Sequence, residues 1–237
     1  MDVELQEKDS WVNLRPNLRN TYEYNEDWER SIQLFITRFN RKFLNPIHNI
    51  IELRNLEGEG FSIITIQCAI IEALAAFRAG KIYNHRISPS SPNFEYRDSK
   101  AIFVEFLNSA SIFENNFFIK DASGRPVKNT PFNADDFYSD VRCGLMHEAR
   151  TKNNWIITAT KRSVKTDTIF LERRGDKIAI LRTILHYRIK EYVTNYCDDL
   201  RNKDIYYNRL RKFLGRKLDH LFDIASDPSN YNWWMND

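Results

Sequence analysis

GFSIITIQCAIIEALAAFRAG, residues 60–80, is the stretch whose reading decides the fold. From Phe61 to Ala79 it is apolar on nearly every side, and a helix of that kind either lies in a core or crosses a membrane. Gln67 and Glu72 interrupt the run and Arg78 ends it, so it reads as the centre of a core, with Gly80 as its C-cap. Glu72 is the odd residue. A carboxylate on a buried helix needs a cationic partner or must stay protonated. Arg142 is the first candidate partner, either to orient a site residue or as a structural ion pair.

Working outward, residues 1–24 lack a steady period and read as an N-terminal arm. Asn25 caps a helix in which Trp28, Ile32, Phe35 and Phe39 recur on one face. That helix is expected to end near Asn45-Pro46, where proline forbids simple continuation, and residues 47–56 to resume as a short helix before a turn at 57–60. Downstream, residues 84–93 read as an extended loop carrying a surface His85. A helix follows from Asp98 or Ser99 to Ile112, with Ile102, Phe103, Phe106, Leu107 and Ile112 turned inward. The stretch 120–133, with Gly124, Pro126 and Pro131, is a long loop of the sort that shapes access to a site.

That loop leads into DVRCGLMHEAR, residues 140–150. Arg142 carries a permanent charge on a planar fork of donors suited to phosphate oxygens. His147 is the side chain that most readily exchanges a proton near neutral pH. Phe137, Val141 and Leu145 form the core stripe of the helix. At ~100° per residue, Arg142 and His147 stand roughly 140° apart around the axis and flank an outward face containing Ser139, Cys143, Met146 and Arg150. Such a partly apolar face suits pairing with a second copy about a two-fold axis. Gly144 costs ~1 kcal/mol there relative to Ala, so it marks either a close backbone approach or a local distortion.

Beyond Arg150 the period changes from helical to extended. Strands are expected at 155–160, 168–172 and 178–181, forming a small antiparallel insertion over about 154–181, with Arg173, Arg174 and Lys177 at its turn. Two helices close the chain, at about 182–200 and 204–224. The second offers Leu210, Phe213, Leu214, Leu218, Leu221 and Phe222 for packing, and Arg209, Arg211, Lys212, Arg216 and Lys217 outside. His186 and His220 read as packing or surface residues. The aromatic tail ending at Trp234 is expected to dock on the core rather than stack a base.

Net charge is 35 − 32 = +3, too small to imply nucleic acid by itself. From Arg142 to Lys190, however, twelve Lys/Arg face four Asp/Glu, an excess of 12 − 4 = 8 that starts at the candidate site. It is read either as a solvated surface balanced by acidic residues elsewhere or as a surface that attracts phosphate. Cys68, Cys143 and Cys197 are odd in number and lack metal-ligand spacing, which points to a reducing cytoplasm. The acidic start of the chain has no signal-peptide pattern. No metal, cofactor or membrane is expected.

Arg142 and His147, with four residues between them on a helix, match the R-x4-6-H motif of the HEPN superfamily. The run 60–80 resembles the central apolar helix of bacterial members, and RCGLMHEA (142–149) with WII (155–157) resembles one bacterial branch. The resemblance spans about residues 25–200. It implies a mainly α fold, an antiparallel helical bundle over 25–237 as one domain with the β insertion after the motif helix. It further implies a metal-independent endoribonuclease of single-stranded RNA, leaving a 2′,3′-cyclic phosphate and a 5′-OH from a composite site in a homodimer. Relatives act in toxin–antitoxin and anti-phage systems, so an antitoxin or defence partner is implied too. The resemblance carries over Arg142 and His147 as the catalytic pair; from the residues themselves Glu72 and Cys143 are read as supporting or orienting, and Arg150, Lys152, Arg173 and Arg174 either as RNA contacts or as solvated surface charges. Cys143 departs from the pattern, since many active members have a polar residue, often Asn, after the Arg. The alternative is an inactive HEPN-like scaffold that binds RNA or dimerises, and a third is a regulatory partner of a neighbouring gene product.

Overall fold

In chain order the helices are α1 (Val3–Leu14), α2 (Glu26–Phe39), α3 (Asn45–Glu52), α4 (Glu59–Ala79), α5 (Ser99–Leu107), α6 (Ala134–Asp136), α7 (Cys143–Glu148), α8 (Arg182–Arg201) and α9 (Asn208–Leu221). The strands are β1 (Ile82–Tyr83), β2 (Glu95–Tyr96), β3 (Trp155–Thr158), β4 (Leu171–Arg174) and β5 (Lys177–Leu181). This computed structural model describes residues 2–18, 23–53, 57–127, 130–160, 166–204, 207–224 and 234. The chain is mainly α-helical. Its backbone divides into two compact units, Met1–Lys42 with Leu74–Arg97 and Val193–Asp237, and Phe43–Ala73 with Asp98–Tyr192. Helices α4 and α8 each contribute residues to both units, so no linker or change of composition marks the division.

In the first unit, residues 3–14 are a helix and not an arm. Asp2 caps it by accepting from the Glu4 N–H at 2.9 Å. Its anchors are polar and distant in sequence, which is why no apolar period announces it. Buried Asp219 accepts from the Trp11 indole at 2.8 Å, from Arg15 Nε and Nη2 at 2.9 and 2.8 Å, and from the Trp234 indole at 2.7 Å. Glu7 pairs with Arg38 and Arg41 of the neighbouring helical segment. Trp234 is fully buried, so this residue of the tail docks as expected. Tyr231 and Trp233 fall outside the described residues.

Helix α2 starts where its cap predicts, with Asn25 accepting from the Trp28 N–H, and buries Trp28, Ile32, Phe35 and Phe39. Pro46 does not end the helical path. A π turn, Asn40–Leu44, precedes α3, and Pro46 sits in the first helical turn, where its missing N–H costs least. Gly80 caps α4 as expected, in the left-handed region at φ 62°, with Lys81 N–H donating to Ala76 O at 2.9 Å. Helix α4 is long and apolar enough to cross a membrane, yet 56% of that apolar window is buried within this structure.

Two arginines expected on the surface of α9 are buried instead. Arg211 Nη1 donates to the carbonyls of Leu200 and Asn202, both at 2.8 Å, satisfying the end of α8. Arg216 donates to Trp234 O at 2.8 Å and Gly80 O at 3.1 Å, and stacks 4.0 Å over the Phe94 ring. Leu221, expected inside, is exposed at the helix end. The 84–93 loop is bracketed by β1 and β2, a short parallel pair.

The second unit has an aromatic core. Phe117 meets Phe137 edge-on at 5.3 Å, Phe137 meets Trp155 at 5.5 Å, and Phe113 meets Phe170 at 6.0 Å. Helix α5 is capped by Asp98 and ends at Leu107, short of Ile112. Buried Asn116 accepts from the backbone N–H groups of Phe170 and Leu171 at 3.0 and 3.1 Å, which ties the 114–118 turn to the head of β4. The three strands occur about where the sequence places them, but the sheet is mixed, in the order β3-β5-β4. β4 and β5 form the expected hairpin around Gly175-Asp176, whereas β5 pairs with β3 in parallel. Lying between its two neighbours, β5 runs antiparallel to β4 and parallel to β3.

Candidate active site

The helix bearing the motif is assembled from three pieces. Asn133 caps α6 through its side chain, residues Phe137–Arg142 form a π segment, and α7 runs from Cys143 to Glu148. Phe137, Val141 and Leu145 are buried, as their spacing predicts. The regular-helix geometry assumed from sequence therefore holds only from Arg142 onward. Ahead of it the wider π turn alters which residues share the face.

Arg142 is not on an open outer face. Its side chain is 19% exposed and that of Glu72 is 20% exposed, and Arg142 Nη2 donates to Glu72 Oε2 at 3.0 Å. Its guanidinium lies 5.4 Å from the Tyr138 ring centroid, one turn back in the π segment. Tyr138 is itself held by a 3.0 Å hydrogen bond between its hydroxyl and that of Ser99. Burial opposes the charge on Arg142, but the charges of Glu72 and Tyr138 outweigh it and hold its pKa above the ordinary arginine value. The guanidinium is a fixed cation. Its other N–H groups have no partner among the described residues.

Cys68 stands one turn before Glu72 on α4 and is fully buried. Burial pushes its thiol up to about 12, so it is a neutral apolar neighbour of the pair and no nucleophile. Cys143 is half-buried beside Arg142. Glu72 was singled out as a buried carboxylate; it is half-buried, and Arg142 is its partner. Tyr138 and Cys68 were not singled out. The aromatic four residues before Arg142 was the available signal for Tyr138.

His147 is exposed in the last turn of α7, and no hydrogen bond reaches it among the described residues. The helix stops at Ala149, left-handed at φ 53°, and the chain folds back over it. Lys152 N–H donates to Asp140 O at 2.9 Å, and Asn153 Nδ2 to Asp140 Oδ2 at 2.8 Å. Gly144 makes that return possible, because a Cβ there would lie 2.5 Å from the Arg150 carbonyl oxygen. The close approach it permits is within the chain. Met146, on the arc between Arg142 and His147, is 50% exposed.

The four candidate RNA contacts are dispersed. Arg150, expected on the helix, lies beyond its end and pairs with Glu148 at 3.0 Å, as does Lys152 at 2.7 Å. Arg174 pairs with Glu172 at 2.5 Å, and Arg173 lies over Phe132 at 5.5 Å. Three of the four are thus already matched by a carboxylate, and what remains is an anchored arginine and an open imidazole on one short helix. Comparison of this chain with protein-family models, curated proteins and solved structures gives no match.

Proposed function

We propose that this protein is a HEPN-type endoribonuclease that cleaves single-stranded RNA without a metal ion. The observation that carries this reading is the state of the motif pair. Arg142 is fixed by Glu72 with donors to spare, and His147 is exposed and unbonded on the same helix. RNA brings its own nucleophile, the ribose 2′-OH, so the protein need supply only proton transfer and positive charge at the phosphate. His147 takes the 2′-OH proton as the 2′-oxygen bonds to phosphorus. The bond to the 5′-oxygen breaks, and a protonated His147 from a second copy supplies the leaving group's proton. Arg142 donates to the oxygens of the crowded phosphate. The products are a 2′,3′-cyclic phosphate and a 5′-OH.

A composite site requires a homodimer through the motif helix, and half-exposed Met146 supports that arrangement, since an isolated helix gains little by displaying it. In the setting the resemblance implies, the enzyme is a toxin or anti-phage effector checked by a partner protein. The test is incubation of purified protein with single-stranded RNA in EDTA, followed by analysis of the product ends. Cyclic phosphate termini are the expected result; no cleavage, or cleavage abolished by EDTA, overturns the reading. A second reading, an RNA-binding or dimerising scaffold that does not cut, is favoured by the neutralising contact of Glu72 on Arg142 and by Cys143 beside it.

A further inference from the structure

Among the basic residues of the first unit, Lys217 on α9 is set apart by its surroundings. Its side chain is half-buried, and its nitrogen reaches solvent. The ammonium lies 5.4 Å from the centroid of the Phe77 ring, near the end of α4. Phe213 and Leu214, one turn back on its own helix, are buried, and one turn on stands Leu221. No carboxylate reaches Lys217 among the described residues. Asp219, the nearest in sequence, is taken up by Trp11, Arg15 and Trp234. Glu95 and Asp223 act on His220 instead, and His220 sits one turn from Lys217, where the two positive charges oppose each other.

Other lysines differ in what they touch. Lys42, Lys100, Lys120 and Lys152 each lie against a carboxylate, which favours the ammonium form. Lys217 has only a ring face to offset its loss of water, and burial lowers its pKa from 10.5 to about 8. At neutral pH roughly a tenth of it is then free amine, against less than about a thousandth for an ordinary lysine. A lysine desolvated among apolar groups beside another cation is the setting that activates an amine as a nucleophile.

We infer that Lys217 is an acyl-acceptor site, modified by activated acyl groups of the thioester or acyl phosphate class. The amine lone pair attacks the carbonyl carbon and the N–C bond forms. The bond from that carbon to sulfur or to the phosphate oxygen breaks, and its electrons leave with the thiolate or phosphate. The proton lost from nitrogen goes to water. The product is an uncharged amide, which lies against Phe77 without the desolvation cost that opposes the ammonium. The inference does not depend on the Arg142/His147 reading.

Incubation of the full chain with acetyl phosphate, and separately with acetyl-CoA, tests it, with rates at each lysine read by mass spectrometry of peptides. Lys100 is the internal control, since it is more exposed but held by Asp135 at 2.8 Å. At about pH 7.5 Lys217 should react roughly tenfold faster than Lys100, its larger amine fraction outweighing its lower basicity and poorer access. The Lys217 rate should level off above about pH 9, while that of Lys100, whose pKa Asp135 raises, keeps climbing. Leu221→Glu alters an exposed position and brings a carboxylate within one turn, so it should slow Lys217 about twofold or more and leave Lys100 unchanged. Lys217→Arg assigns the labelled peptide, and a thermal melt shows that each variant is folded. Reaction with one donor alone identifies that class as the source, and reaction with both marks an amine open to either. Lys217 reacting no faster than Lys100, a Lys217 rate still climbing beyond about pH 10, or no acylation of Lys217 by either donor would overturn the inference.

Discussion

Glu72 on α4 and Arg142 on the motif helix, seventy positions apart in sequence, are joined by a 3.0 Å hydrogen bond between charged groups. The contact ties the central apolar helix to the one residue that must hold a phosphate if the proposed chemistry is right. Each partner is about one-fifth exposed, so the pair lies between a screened surface bridge and a fully buried one. Glu72→Ala should lower stability by about 1–2 kcal/mol in urea unfolding. Glu72→Gln should lose less, since it keeps an acceptor. An unaltered midpoint in Glu72→Ala would mean that the contact contributes nothing to stability.

Gly144→Ala pits two effects against each other. Helix propensity favours alanine by ~1 kcal/mol. The new Cβ, however, would stand 2.5 Å from the Arg150 carbonyl oxygen, a backbone atom that cannot swing aside. The clash should win, with a net loss of about 1–3 kcal/mol. A more stable Gly144→Ala protein would show that the 149–154 return is readily displaced.

His147→Ala should leave the fold intact, because the side chain is exposed and supports no packing. Cleavage of single-stranded RNA should fall by ~10²- to 10⁴-fold, the usual contribution of general acid/base catalysis. Arg142→Ala should weaken both RNA binding and cleavage, since it removes a phosphate contact as well as charge stabilisation. Wild-type rates from His147→Ala would leave the scaffold reading in possession of this site.

His186 gives the second unit a pH dependence. Burial first, then the charges of His48 and Lys190, lowers its pKa from 6.5 to about 4. Between those values the unfolded chain binds a proton that the folded chain refuses, so stability rises with pH across the window. It is complete above about pH 6.5 and declines on acidification to about pH 4, by on the order of 3 kcal/mol. His186→Phe should flatten that slope when urea unfolding is compared at several pH values. An equally steep slope in the variant would assign the dependence to other groups.

Met146→Glu should weaken self-association in sedimentation velocity, because like charges would meet near the proposed two-fold axis. A dimer unaffected by the change would place its interface elsewhere on the molecule.

Where burial follows a local period, the sequence alone was enough. Trp28, Ile32, Phe35 and Phe39, the stripe of Phe137, Val141 and Leu145, and the apolar run of α4 all occupy the places their spacing predicts, because a helix repeats its own geometry over a few residues. Arg142, His147 and Glu72 were legible for a related reason: charge and titratable chemistry on an otherwise apolar background stand out residue by residue. Tertiary structure decided the rest. Helix α1 is held by Asp219, Arg38 and Arg41, none of which its own sequence reveals. The burial of Arg211 and Arg216 depends on carbonyls at Leu200, Asn202, Gly80 and Trp234 that only the folded chain brings near. The parallel pairing of β3 with β5 is a matter of strand order in the sheet, and strand propensity carries no information about order. Tyr138 lies one turn from Arg142 on its own helix, but the contact of Glu72 with Arg142 joins segments seventy positions apart. Such contacts are set by global packing, and no local pattern of residues encodes them.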